Sequence, residues 1–493
     1  MQSITAKESA SIKSKEIPLE HETVEPLASY FVSRIEKDYD DANTIIGGMF
    51  TATNRRLNED HLLFLNKGAY SGGLDFMHHW KEKTYYISLK SVFSHVYGNP
   101  EAITLLQYES SRYFQRPDFD HLDIDSSRTS LTGMGSSIEI GKAGNGRWRY
   151  HFGINYQSPE LELNDIGFLR TADLIEQEAS LGYTVYEPFS IFRTLSVSLW
   201  QSNYWNFGGY YLFSRIRTSL NSQFANKWRT SLGINRNFEG LDTRSLRGGP
   251  ALLKPGEWSP YLSIESDRSK KISFEFMLRS DISDDGLTKG LSYSPGISLR
   301  LGNSIELRSS LDYNLEQRNL QYVEQLEYNN EKRFIMAYLD RRTLGLTLRA
   351  DYGITPDLTI QYYGSPYIST GQYSNFKRIT NPRAELYNER FHTFTENEIV
   401  YDPNQTEYLI DESADGSVDY VIANPDFNFR QFRSNFVARW EYKQGSTLYL
   451  VWTHSKTGYD NITNPSIMEN ISELRDIYPT NVFLIKLNYW FTL

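Results

Sequence analysis

The 493-residue chain contains no cysteine. It therefore has no disulfide framework, no thiolate metal site and no cysteine nucleophile. It also lacks any run near the roughly 20 consecutive apolar residues that a spanning helix needs, and its mean hydropathy is −0.52. A polytopic helical membrane protein is excluded. Basic residues are outnumbered, 51 against 61 acidic, for a net charge of −10. Sequence-independent nucleic-acid binding needs clustered Lys and Arg, so nucleic acid is not an expected partner. Met1 to Glu20 has no apolar run of the secretory-signal type. HExxH, GxSxG, CxxC and Walker patterns are absent, which leaves no basis for a catalytic residue or a cofactor.

Aromatic residues are abundant, with 9 Trp, 35 Tyr and 27 Phe. A transmembrane strand is apolar only at every second position, so a membrane barrel built from such strands reads as polar on average. Asn481 to Leu493 shows that pattern. Phe483, Ile485, Leu487, Tyr489, Phe491 and Leu493 share one face, and Val482, Leu484, Lys486, Asn488, Trp490 and Thr492 the other. The same period places Ile272, Phe274, Phe276 and Leu278 on one face, as it does Leu344, Leu346, Leu348 and Ala350, and Phe436, Ala438, Trp440 and Tyr442. Charged residues in mid-strand on the opposite faces suit a wet lumen. Arg279, Arg300, Arg349, Arg439 and Glu441 are the candidate lumen-lining residues.

Short and long connections alternate, as periplasmic turns and outer loops do in outer-membrane barrels. Short turns are expected at 81–83, 143–146, 187–189, 223–226, 268–270, 302–303, 354–357 and 443–445. Long polar loops are expected over 96–130, 158–178, 238–257, 282–289, 379–429 and 457–479. Residues 304–352 read as one tall hairpin with Asn329 and Asn330 at its tip. The scheme gives about 19 strands after Pro26. Single-chain bacterial barrels have even strand numbers, so an earlier strand is expected. Met1 to Thr5 is too short to supply it, and residues 1–25 are taken as the remnant of an early strand and loop, with 26–493 as the barrel.

Five runs resemble the domain-of-unknown-function 5916 (DUF5916) barrels: EPLASYFVSRIEKDYDDANTIIGGMFTATNR (25–55), RYFQRPD (112–118), SRTSLTGMG (127–135), LELNDIGFLRTAD (161–173) and FRSNFVARWEYKQGSTLYLVWT (432–453). The resemblance implies an outer-membrane barrel of a Bacteroidetes-type bacterium. Such barrels usually follow a signal peptide and a family 9 carbohydrate-binding-module-like domain, and neither is in this sequence. The family brings no catalytic residues to carry over.

Other motifs have plainer readings. GKAGNG (141–146) lacks the Lys-Ser/Thr and helix of a phosphate loop and reads as a hairpin turn. Asp118, Asp120, Asp123 and Asp125 form a candidate calcium loop, but without the central Gly and terminal Glu of an EF-hand. Asp411, Glu412, Asp415 and Asp419 form a second acidic loop. His78 and His79 are strand neighbours, so they point to opposite faces and cannot chelate one metal. Glu275 and Glu306 illustrate how a glycosidase carboxylate pair could be assembled from strand faces. Residues 171–179 suit a short helix inside a loop. Trp80, Trp148, Trp200, Trp205, Trp440 and Trp490 are candidates for the interfacial aromatic belts.

The expectation is an all-β fold, a large antiparallel transmembrane β-barrel of about 20 or more strands in the outer membrane. The expected role is a non-enzymatic channel, uptake component or surface scaffold tied to glycan acquisition. Its expected partners are outer-membrane lipid, a glycan ligand, and other outer-membrane or periplasmic subunits. A glycan-processing enzyme, or a subunit docking through the tall hairpin and the 379–429 loop, is the alternative.

Overall fold

The computed structural model describes residues 1–12, 20–461 and 466–491. Thr492 and Leu493, the end of the terminal alternation, lie outside the described residues. The chain forms two compact units, one of Met1–Thr184, Ser198–Arg217 and Asn237–Lys254, the other of Val185–Val197, Thr218–Arg236 and Pro255–Leu493. Among the described residues the fold is a large antiparallel sheet of 21 strands. No helix among the described residues is long and apolar enough to cross a membrane.

In the first unit, β1 (Gln2–Thr5), β2 (Ala28–Tyr39), β3 (Thr44–Arg55), β4 (Asn66–Trp80), β5 (Tyr85–Gly98), β6 (Ser130–Lys142), β7 (Trp148–Gln157) and β8 (Leu174–Val185) each pair antiparallel with the next. The strands β9 (Phe192–Trp205), β10 (Tyr211–Phe224) and β11 (Arg229–Asn237) belong to the same sheet. In the second unit β12 (Glu257–Glu265), β13 (Ile272–Ser283), β14 (Lys289–Leu301), β15 (Ile305–Tyr328), β16 (Glu331–Thr355), β17 (Leu358–Ile379), β18 (Phe427–Lys443), β19 (Ser446–Asp460) and β20 (Thr480–Asn488) follow one another as antiparallel neighbours. Setting aside the short β1 and Phe391–Thr393 leaves 19 strands, the number read from the alternation. One expectation is corrected: despite its brevity, Gln2–Thr5 is a sheet strand, pairing Gln2 with Phe31 and Thr5 with Ala28.

Period two within each strand becomes rows across strands once the register is fixed. In the second unit Ile272, Leu299, Leu307, Ala350, Tyr362, Phe436, Trp452 and Phe483 are successive direct partners on eight neighbouring strands. One residue along, on the other face, the row reads Ser273, Ser298, Arg308, Arg349, Tyr363, Asn435, Thr453 and Val482. The first unit repeats the scheme with the apolar row Ile46, Phe76, Leu89, Ile138 and Ile154. These apolar faces are open: Phe274 is 55% exposed and Phe483 75%. In water, contiguous apolar exposure of this extent is a liability; against lipid tails it is the required surface.

The eight short turns fall where the sequence placed them, and the tall hairpin is β15 with β16, closed by Asn329 and Asn330 at φ 53° and 60°. Two successive positive φ values are the signature of a type I′ turn, which Asn tolerates better than most residues. The helix expected over 171–179 is not formed: Leu174 to Val185 is β8, paired from Leu174 with Gln157 to Tyr183 with Trp148. A local leaning towards helix in LIEQEA yields to a complete ladder of cross-strand bonds. Among the described residues the α-helices are α1 (Pro100–Tyr108) and α2 (Ile467–Asp476), both in long loops. Proline suits the first turn of α1, where its missing N–H has no intrahelical acceptor.

The buried cores lie at the loop ends. In the first unit Ile103 and Leu106 of α1, with Phe114 and Phe119, pack on Ala69, Val96 and Leu131. Those three are direct neighbours on β4, β5 and β6, on the face opposite Phe76, Leu89 and Ile138. The 99–129 loop therefore folds onto the inner, polar-patterned face. In the second unit a small sheet of Ile399–Asp402, Glu407–Ile410 and Tyr420–Ala423 buries Ile410 and Ile422 against Ile335, Ala337 and Phe376 near the tip of the tall hairpin.

Candidate functional site

The polar face of the second unit contains the site. Strands β12 to β16 place charged side chains at alternate positions, and the short turns at 266–271 and 302–304 bring them side by side. The result is a cavity of about 510 Å3 lined by Glu265, Arg268, Glu275, Arg300, Glu306, Arg308 and Arg349, with Ser273, Ser298, Ser310 and Thr347 between them. Arg268 lies 2.5 Å from Glu265 and 3.7 Å from Glu275. Glu306 holds Arg308 at 2.8 Å and Arg300 at 3.5 Å, and the Arg300 Nη1 donates to the Arg268 carbonyl at 2.9 Å.

Arg349 differs from these three. It is the direct cross-strand partner of Arg308 on one side and of Tyr363 on the other. Its guanidinium stands 5.4 Å from the Tyr363 ring centroid. The cavity thus has four arginines for three carboxylates, and two of the arginines face each other on adjacent strands. Like charges directly opposite one another destabilise a ladder. The arrangement is competent to hold a negatively charged group, since guanidinium forks match carboxylate and phosphate oxygens.

Of the candidate lumen residues, Arg300 and Arg349 are brought together in this cavity and three are not. Arg279 pairs with Asp281 at 2.8 Å, and Arg439 with Glu441 at 2.8 Å. Glu441 also accepts the Gly445 N–H at 3.0 Å across its turn. These are same-face i, i+2 pairs of one strand. Glu275 and Glu306 do line one cavity, each against an arginine. Arg308, Arg268 and Glu265 were missed. Arg308 was findable, because it follows Glu306 by two and must share its face.

Of the tryptophans, Trp80, Trp148 and Trp440 lie at the strand ends beside short turns, and Trp490 packs by Gly445 of another. Trp205 ends β9 at the 206–210 connection to β10. Trp200 is corrected: it stands in mid-strand, and its Nε1 donates to Glu178 at 3.2 Å with Arg217 5.6 Å from its ring, a polar-face partnership rather than a belt position.

The acidic loops are occupied by their own neighbours. Asp118 accepts the Ala251 N–H at 2.7 Å, Asp120 the Tyr210 hydroxyl at 2.9 Å, and Asp125 the Ser127 N–H at 2.9 Å. Asp411 caps its own turn through the Gly416 N–H at 2.7 Å, Asp419 accepts from Tyr328 at 2.6 Å, and Glu412 lies 3.0 Å from Arg378. Among the described residues no group of three or more His, Cys, Asp or Glu is gathered as a metal site.

A second constellation sits in the loop knot of the first unit. Arg112, with no exposed side-chain surface, pairs with Glu162 and donates to the Leu161 carbonyl at 3.0 Å. Glu162 in turn accepts the Asn164 N–H at 2.7 Å, and its own N–H donates to Ser94 Oγ on β5 at 2.9 Å. Asp173 gathers the Phe207 N–H at 2.9 Å, His121 at 3.1 Å and Arg116 at 3.6 Å. Burial pushes the Asp173 carboxyl above the ordinary aspartate value despite these partners. Burial likewise raises Glu109, with the Glu162 charge second. The runs RYFQRPD and LELNDIGFLRTAD, distant in sequence, are thus the two halves of one latch.

The family model described as Domain of unknown function (DUF5916) matches residues 1–492. No curated protein matches. Among solved structures the chain is similar to the FrpB iron transporter from Neisseria meningitidis (8% identity, 86% of this chain and 74% of that one, TM-score 0.42). It is also similar to the siderophore receptor PirA from Acinetobacter baumannii (8%, 92% and 75%, TM-score 0.37) and to the RagAB peptide transporter (9%, 89% and 51%, TM-score 0.39). Likeness at this level says nothing of what the chain carries.

Proposed function

The chain belongs to the DUF5916 family, and from that membership and the geometry above we propose that it is an outer-membrane β-barrel that admits a polar solute through its lumen. The observation that carries this reading is the pair of opposed rows in the second unit. An apolar row runs unbroken over eight strands, and behind it lies a face bearing Ser, Thr, Asn and Arg. A lipid-facing band with a wet interior is the arrangement that satisfies both faces. The 99–129 loop packs on the polar-patterned face of the first unit. Aromatic side chains at the strand ends would seat the band at the interfaces.

Glycan acquisition is the finer form of the proposal, supported by the family's usual carbohydrate-binding neighbour domain. Planar-bilayer recording of the refolded full chain tests both levels. Discrete conductance steps, interrupted by added glycan oligomers, are expected. A barrel that inserts and stays electrically silent refutes the solute pathway, and steps indifferent to glycans refute the glycan form alone.

A further inference from the structure

We propose that Arg308 and Arg349 form a binding site for an oxyanion group, so that the admitted solute carries a carboxylate or phosphate. This rests on the uptake reading for its biological meaning, although the site itself does not. Three observations converge. Arg308 and Arg349 are direct partners on β15 and β16, with their side chains on the polar face. Adjacent strands of a ladder hold such a pair with Cβ atoms about 4.5–5.5 Å apart, a spacing at which two guanidinium groups can close on a single oxyanion. Both line the 510 Å3 cavity, which has room for a small organic ion.

The charge distribution decides what enters. Arg268 and Arg300 are matched by Glu265, Glu275 and Glu306, and Arg308 shares Glu306. Arg349 has the Tyr363 ring and, among the described residues, no carboxylate within ion-pair distance. Asp351, two residues from Arg349 on the same face, and Glu275 also act on Arg308; Arg349 remains without an ion-pair partner of its own among the described residues, and an anion bound between the two guanidiniums relieves the repulsion between them. The hydroxyls of Ser298, Ser310 and Thr347 add neutral donors around the pair, suited to the remaining oxygens of a polyol or hydroxy acid. A neutral solute can accept hydrogen bonds from the guanidiniums but brings no opposite charge to the pair.

The test is calorimetric titration of the purified full chain in detergent with citrate, inorganic phosphate and neutral maltohexaose as probes. Citrate or phosphate is expected to bind in a manner that depends on Arg308 and Arg349, and any binding of maltohexaose is expected not to depend on them. Citrate binding with weak phosphate binding assigns a carboxylate, and the reverse a phosphoryl group. Arg349→Gln and Arg308→Gln should each weaken binding about tenfold, as expected for loss of a charge-assisted bond, with Arg349→Lys recovering part of it. Arg279→Gln, outside the cavity, should bind as the unaltered chain does. Heat-modifiable gel mobility shows that each variant is folded. Equal affinity in the arginine variants, or binding of maltohexaose alone, overturns the proposal. Citrate that binds but does not enter proteoliposomes refutes the uptake reading and leaves the site standing.

Discussion

The buried pair Arg112–Glu162 gives the sharpest test of how the first unit is held together. Arg112 and Glu162 have side-chain exposures of 0% and 2%, so removing one partner strands the other charge away from water. In Arg112→Met the Glu162 carboxylate keeps the Asn164 N–H and loses the guanidinium that is its ion-pair partner among the described residues. Breaking a buried pair from one side costs roughly 3–5 kcal/mol. The knot is pinned by backbone bonds from Phe114 to Gln107 at 3.0 Å, Leu161 to Ser158 at 3.1 Å and Ala172 to Ser111 at 2.8 Å. Amide hydrogen exchange at Phe114, Leu161 and Ala172 should then accelerate roughly a few hundred- to a few thousand-fold, while the strand amides of β2 and β3 stay slow. Glu162→Leu alone should do the same. The double variant removes both charges and should return to within about tenfold of the unaltered chain, since apolar replacement of a whole buried pair is often neutral. Single variants that accelerate exchange less than tenfold, or a double variant as fast as both effects combined, would refute the latch.

Three further outcomes follow from the same physics. Glu109 has its pKa raised from 4.5, chiefly by burial, so its contribution to knot stability is full below about 4.5 and is lost as pH rises through the raised value. Glu109→Gln should therefore slow exchange at Phe114 at pH 7 and make no difference near pH 4; an effect of equal size at both would count against burial as the cause. On the outer face, Leu348→Arg should cost roughly 2–4 kcal/mol of folding free energy in lipid vesicles, against less than about 1 kcal/mol for Thr347→Arg one residue away on the inner face. Urea titrations giving equal costs would mean that the faces are misassigned. At the hairpin tip, Asn329→Val puts a β-branched residue at φ 53° and should loosen the outermost amides of β15 and β16 by roughly 1–2 kcal/mol, with exchange near the membrane unchanged.

What could be read from the sequence divides along a physical line. Strand positions, the eight short turns and the Asn329–Asn330 tip are local facts: alternation needs only neighbours at i and i+2, and a turn only a few residues. Met1 to Thr5 was misjudged on length because four residues seldom make a strand alone, whereas Gln2–Thr5 is held by an edge that β2 already offers. The 171–179 segment went wrong for the converse reason, a helical composition overruled by the ladder that the preceding strand, β7, offers. The site lay further still from view. That Arg300 and Arg349 meet while Arg279 and Arg439 do not depends on register across β14, β15 and β16, and a shift of one residue would have turned Arg308 outward. Trp200 was misplaced for the same reason: its face is set by the ladder that brings Glu178 beside it. The knot was least legible, since Arg112 and Glu162 are 50 residues apart and nothing local in either segment announces a buried pair. Its consequence is mechanical: a loop fastened by buried charges to the polar-patterned face of the first unit cannot fluctuate open at the small cost of an ordinary surface loop.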